Sequence, residues 1–120
     1  RLLEFGCSVG TMTLDLAEAV NPNGKVYATD LSRMDLMITK KRLLKKGHTH
    51  VIMIHDEHQV NRVHPSIPHV DAIVSIGMMG YLQDIKKVLK EMYVKENTIV
   101  VNLQDRRYFR KNSSDYYIAI

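Results

Sequence analysis

The chain has 120 residues, 45% of them apolar and 25% charged, a balance that suits one soluble globular domain and leaves no length for a second core. Its net charge of +4 permits an anionic partner without demanding one, and its single cysteine, Cys7, excludes an internal disulfide framework and fits a reducing cytoplasm. No apolar run approaches the ~18 residues of a membrane span and no signal peptide is visible, so no membrane partner is expected.

Arg1–Phe5 is predicted as a buried strand. Because the chain begins at the mouth of that strand without an initiator methionine, it is expected to be part of a longer protein whose N-terminal portion is absent. Leu2–Gly10, read Leu-Leu-Glu-Phe-Gly-Cys-Ser-Val-Gly, passes from the strand through an acidic residue into a small-residue turn. Gly6, Ser8 and Gly10 let the backbone turn tightly and let a ligand come close. Thr11–Val20 follows as a helix, with Leu14 and Ala17 facing the sheet. Such a strand–turn–helix joint aims backbone N–H groups at a ligand.

Asn21-Pro22-Asn23-Gly24 ends that helix. Lys25–Asp30 is the second strand and finishes on a carboxylate. Ser32 is the expected N-cap of a helix over Arg33–Lys46, with Met34, Met37, Ile38 and Leu44 as its apolar stripe and Gly47 as its stop. His50–His55 forms the third strand and ends at Asp56-Glu57. Gln59–His69, with Pro65 and Pro68, reads as loop. Val70–Ile76 is the fourth strand, and Leu82, Ile85, Val88, Leu89 and Met92 mark a clean helical stripe. Thr98–Leu103 is the fifth strand, Gln104–Asn112 is polar and basic, and Asp115–Ile120 has the composition of an extra C-terminal strand.

Alternating strands and helices predict an α/β fold of three layers, α/β/α, with a doubly wound and mostly parallel sheet. Ligands bind such sheets outside the carboxyl ends of the strands, where the winding reverses. Glu4–Gly10, Asp30, Asp56-Glu57 and Ser75–Gly77 all fall at those ends and are expected to converge on one crevice.

The turn does not carry the dinucleotide fingerprint G-x-G-x-x-G, which, aligned from Gly6, would need glycine at Ser8 and Thr11. Its spacing, Glu4-x-Gly6-x-Ser8-x-Gly10, resembles the first motif of the class I S-adenosylmethionine-dependent methyltransferases, E/D-x-G-x-G-x-G, with serine for the middle glycine. The resemblance extends over nearly the whole chain and implies a Rossmann-like core with strand order 3-2-1-4-5, spanning residues 1–120 as one S-adenosylmethionine-binding domain. It further implies that Glu4 helps hold the methionyl end of the cofactor, that Asp30, beside Leu31, binds the ribose diol, and that Asp56, beside Glu57, faces the adenine. Phe5, Gly6, Cys7, Ser8 and Gly10 join the cofactor set through the turn, and Ser75 through the fourth-strand motif Val70-Asp71-Ala72-Ile73-Val74-Ser75. Met78, Met79 and Tyr81 follow that strand, where substrate contacts arise in this family, although apolar packing accounts for them equally.

The implied reaction is in-line displacement at a methyl carbon, for which no dedicated base is compulsory and none is evident, so no catalytic residue is assigned. The N-P-P-Y-type motif of adenine-N6 methylation is absent after the fourth strand. His55, His58, His64 and His69 match no standard zinc spacing, and no metal is expected. Two basic clusters remain. Lys40, Lys41, Arg42, Lys45 and Lys46 suit a helix C-terminus and a solvated face. Arg106, Arg107, Arg110 and Lys111, interleaved with Tyr108 and Phe109, have the pattern of a nucleic-acid contact. The sequence reads as a cytoplasmic methyltransferase with a small-molecule acceptor. The alternatives are an RNA methyltransferase, a nucleotide-linked oxidoreductase disfavoured by the failed glycines, and a non-catalytic binding module of the same fold.

Overall fold

The computed structural model describes residues 1–95 and 99–101. The elements run β1 (Leu2–Phe5), α1 (Thr11–Val20), β2 (Val26–Asp30), α2 (Arg33–Lys45), β3 (Val51–His55), β4 (Ala72–Ser75), α3 (Ile85–Lys95) and β5 (Ile99–Val101), with a 3-10 turn at Met79–Tyr81 ahead of α3. All strand pairs are parallel and the sheet order is β3-β2-β1-β4-β5, as expected for a doubly wound core. The chain winds from β1 outward through β2 to β3, then returns to β4 on the far side of β1. The crevice of a doubly wound sheet lies at that reversal.

Alternation along the strands sorts side chains onto two faces. On one face Leu3 and Phe5 of β1 and Ile73 of β4 pack with Val88 and Met92 of α3 and with Val63, Ile67 and Val70 from the loop after β3. Each such fully buried side chain contributes about 1.5–3 kcal/mol. On the other face Cys7 and Ala28, flanked by Val51 and Met53, pack with Leu36 of α2. Ala17 and Ala28 are completely buried, and their small volume suits close packing of helix on sheet. Cys7 is a packing residue here, and burial pushes its thiol well above the usual range. α3 starts later than its apolar stripe: Leu82 is buried ahead of the helix, and the Asp84 carboxylate accepts from the Lys87 N–H at 3.1 Å as the helix cap.

α2 corrects one expectation. Met34, Met37, Ile38 and Leu44 are exposed, by 71, 61, 39 and 59%, and the face turned to the sheet is Leu36, Thr39 and Leu43. The polar member of that face explains the difference. The Thr39 hydroxyl donates to the Ser8 carbonyl at 2.7 Å, and its side chain sits over Gly10, where an added Cβ would come within 2.7 Å of it. A hydropathy stripe does not register a threonine whose inward placement is set by a hydrogen bond. Ser32 caps the helix as anticipated, its hydroxyl accepting from the Asp35 N–H at 3.2 Å. The strands begin and end within two residues of their expected bounds. The basic stretch at 104–112 and the extra strand at 115–120 lie outside the described residues. Among the described residues, no helix is long and apolar enough to cross a membrane.

Candidate functional site

A cleft of about 500 Å3 opens at the carboxyl ends of the strands. That volume lies within the ~300–1,000 Å3 of small-molecule sites. Its wall is built from four successive loops: Gly6 and Ser8 after β1, Leu31, Ser32 and Asp35 after Asp30 at the end of β2, Gln59 and Val60 after β3, and Ile76, Gly77, Met78 and Tyr81 after β4.

The β1–α1 turn shapes one side. Gly6 and Gly10 have φ of +87° and +88°, the left-handed region that glycine enters freely. Ser8 also lies there, at φ +49°, where a side chain costs energy. The turn is held from two sides. The Gly6 and Cys7 N–H groups donate to the Thr29 carbonyl at 3.0 and 2.9 Å. From α2, Thr39 and Arg42 donate to the carbonyls of Ser8 and Val9.

Asp30 is the best-defined polar group of the cleft. The Ser8 N–H donates to its Oδ2 at 2.8 Å and the Ser32 N–H to its Oδ1 at 2.9 Å, so two loops fix the plane of one carboxylate. An ionised carboxylate has about four acceptor sites, and two remain for a ligand. Glu4 lies behind the turn, only 3% exposed, and accepts from the Thr13 hydroxyl of α1. Burial pushes its carboxyl up to about 7 against the pull of the Thr13 hydroxyl, and the charge of Asp30 adds to the rise.

Asp56 is buried and turned to Arg62, whose guanidinium donates to it at 2.9 Å, while the His58 N–H donates at 2.9 Å. Burial acts to raise its pKa, yet these donors and the Arg62 charge outweigh it and hold the carboxyl below the ordinary range. Of the eleven residues expected from sequence, Gly6, Ser8, Asp30 and Leu31 line the cleft. Glu4 and Cys7 are buried beside it. Gly10 caps α1, and Phe5 points into the α3 core while its carbonyl accepts from the buried Ser75 hydroxyl at 3.1 Å. Glu57 is exposed and lies 3.8 Å from Arg33.

Gln59 was not anticipated. It lines the cleft at 1% exposure, its amide nitrogen 3.9 Å from the Met78 sulfur, and its Oε1 has no hydrogen-bond partner among the described residues. A buried acceptor left unpaired costs energy unless a ligand supplies the donor. The only signal in the sequence was position. Gln59 closes a turn on Asp56, its N–H donating to the Asp56 carbonyl at 3.2 Å. The histidines mostly hold backbone. His50 and His55 contact the carbonyls of Ala17 and Leu31 at 2.7 and 2.9 Å.

A sequence-family model described as a methyltransferase domain matches residues 3–95. The chain belongs to that family. The demethylmenaquinone methyltransferase of Anoxybacillus flavithermus is 32% identical over 97 residues, 78% of this chain and 38% of that protein. The crystal structure of a SAM-dependent methyltransferase from Aquifex aeolicus superposes with a TM-score of 0.66 at 26% identity, covering 75% of this chain and 47% of that one. The N-terminal domain of EvdMO1 with SAH bound reaches a TM-score of 0.75 at 20% identity, over 84% and 41% of the respective chains. This methyltransferase domain therefore spans less than half the length of these relatives. The class I reading taken from Glu4–Gly10 and Asp30, with S-adenosylmethionine as cofactor, is borne out at the level of the family.

Proposed function

We propose that this chain is the cofactor-binding core of an enzyme that transfers a methyl group from S-adenosylmethionine to a small molecule. The observation that carries the proposal is Asp30, held by the Ser8 and Ser32 N–H groups with two acceptor sites free for a vicinal diol. The residues present fit the cofactor. A Cβ on Gly6 would lie 2.2 Å from Met78, so only glycine leaves the turn open beneath the cleft. Leu31, 47% exposed, offers an apolar surface for a base. Glu4 acts from behind the turn, favouring a positive methionyl ammonium once it ionises, and Asp56 acts through the loop that it and Arg62 hold in shape.

When bound, S-adenosylmethionine supplies a methyl carbon made electrophilic by the adjoining sulfonium. The chain's own contribution is position: Gly77, Met78 and Tyr81 edge the cleft after β4 and would confine an acceptor. Holding the partners in line with water excluded accounts for much of the acceleration such a site needs. A small-molecule acceptor is supported by the relative named as a demethylmenaquinone methyltransferase. The single cysteine is buried and unbridged, which accords with work in the cytoplasm.

Calorimetric titration with S-adenosylhomocysteine, NAD and NADP tests the reading. Binding of the homocysteine compound alone is expected, weakened about ten- to hundred-fold in Asp30→Asn, the range for a hydrogen bond to a charged group. Nicotinamide binding, or equal affinity in the variant, would overturn it.

A further inference from the structure

The exposed face of α2 has no role in the cleft. At about 100° per residue, Leu44, Met37, Lys41, Met34, Lys45 and Ile38 share an arc of about 120°, opposite the buried Leu36, Thr39 and Leu43. Four large apolar side chains therefore stand in water on one helix, interleaved with lysines. Lys40, just outside one edge of the arc, and Lys46, the C-cap on the other flank, are exposed as well. The only acidic residue within Arg33–Lys46 is Asp35, half-buried at the N-terminal end, and Arg33 beside it is neutralised by Glu57 at 3.8 Å. The cationic C-terminal half thus lacks a carboxylate of its own.

We infer that this face is a docking surface for an anionic lipid bilayer. Methionine and leucine side chains enter the headgroup–acyl boundary readily, and lysine stems lie along apolar surface while their ammonium groups reach outward to lipid phosphates. The charge favours an anionic leaflet. A nucleic acid would use the lysines but leave the four apolar groups without a purpose, and none of them is aromatic to stack on a base. A second copy packed face to face would set lysines against lysines. The expectation of no membrane partner rested on the lack of a spanning segment, a criterion that does not bear on surface docking. The placement has a use: Leu31, Ser32 and Asp35 line the cleft, so the N-terminal end of α2 lies at its mouth, and docking would bring the cleft close to molecules dissolved in the bilayer.

Co-sedimentation of the chain with vesicles tests this, comparing phosphatidylcholine alone with a phosphatidylcholine–phosphatidylglycerol mixture. Partition into the mixed vesicles is expected and falls about thirty-fold in the double variant Lys41→Gln with Lys45→Gln, at about 1 kcal/mol per lysine. Met34→Ser with Met37→Ser should lower it about ten-fold. All four residues are exposed and none lines the cleft, so circular dichroism and S-adenosylhomocysteine affinity should match the parent. No partition into mixed vesicles overturns the inference, as does partition undiminished by the methionine substitutions. So does a preference for single-stranded RNA over vesicles that survives those substitutions.

Discussion

Replacing Glu4 by glutamine removes an ionisable group from beneath the turn while keeping an oxygen for the Thr13 hydroxyl. The folded carboxyl titrates at about 7, against 4.5 for the free group, because burial disfavours its charged form. Between those values the folded chain holds a proton that the unfolded chain has released. Stability from this site is therefore present at low pH, declines as pH rises from 4.5 to about 7, and levels off above. The gap of roughly 2.5 pH units, at 1.36 kcal/mol each, gives about 3 kcal/mol. Glu4→Gln should match the parent near pH 3.5, below the free value of 4.5, and exceed it by about that amount near pH 8, in urea unfolding at both values and between. Every other titrating group is common to the two proteins, so the difference isolates Glu4. Parallel stability curves across the window would refute the reasoning, and a parent that gained on the variant with rising pH would reverse its sign.

Gly10→Ala should cost about 3 kcal/mol in a denaturant midpoint, because the left-handed backbone penalises a side chain by about 1–2 kcal/mol and the new Cβ would press on Thr39. Gly47→Ala, with a similar φ but open space around it, should cost only about 1 kcal/mol, and equal losses would deny the contact with α2. Gln59→Leu should leave the chain unchanged or stabilise it by up to about 2 kcal/mol, since an unpaired buried acceptor is removed, while S-adenosylhomocysteine affinity falls about ten-fold. A variant that lost stability but kept its affinity would show Gln59 to be ordinary core.

Much of this was legible from residues alone. The order of strands and helices, the small-residue turn and the carboxylate closing β2 follow from alternation, from the φ > 0 that tight turns require and from polarity at strand ends. What escaped had two physical origins. The phase of α2 is set by a hydrogen-bonded threonine, so its apolar stripe faced outward rather than in. Pairing was equally invisible, because nothing in His55-Asp56-Glu57 announces that Arg62 will fold back to hold Asp56, or that Gln59 will be left with an unpaired buried acceptor.

The grip of α2 on the β1–α1 turn has an evolutionary reading. Thr39 and Arg42 hold the carbonyls of Ser8 and Val9 at 2.7 and 2.6 Å, so part of the turn's shape is written in a helix that comes two elements later. A turn specified by its own glycines can drift only by losing its form. One braced from outside can exchange a glycine for serine and keep the φ of +49° that the position requires. The same bracing makes the first strand–helix unit a poor module to transplant, for without α2 it would carry the motif and not the conformation.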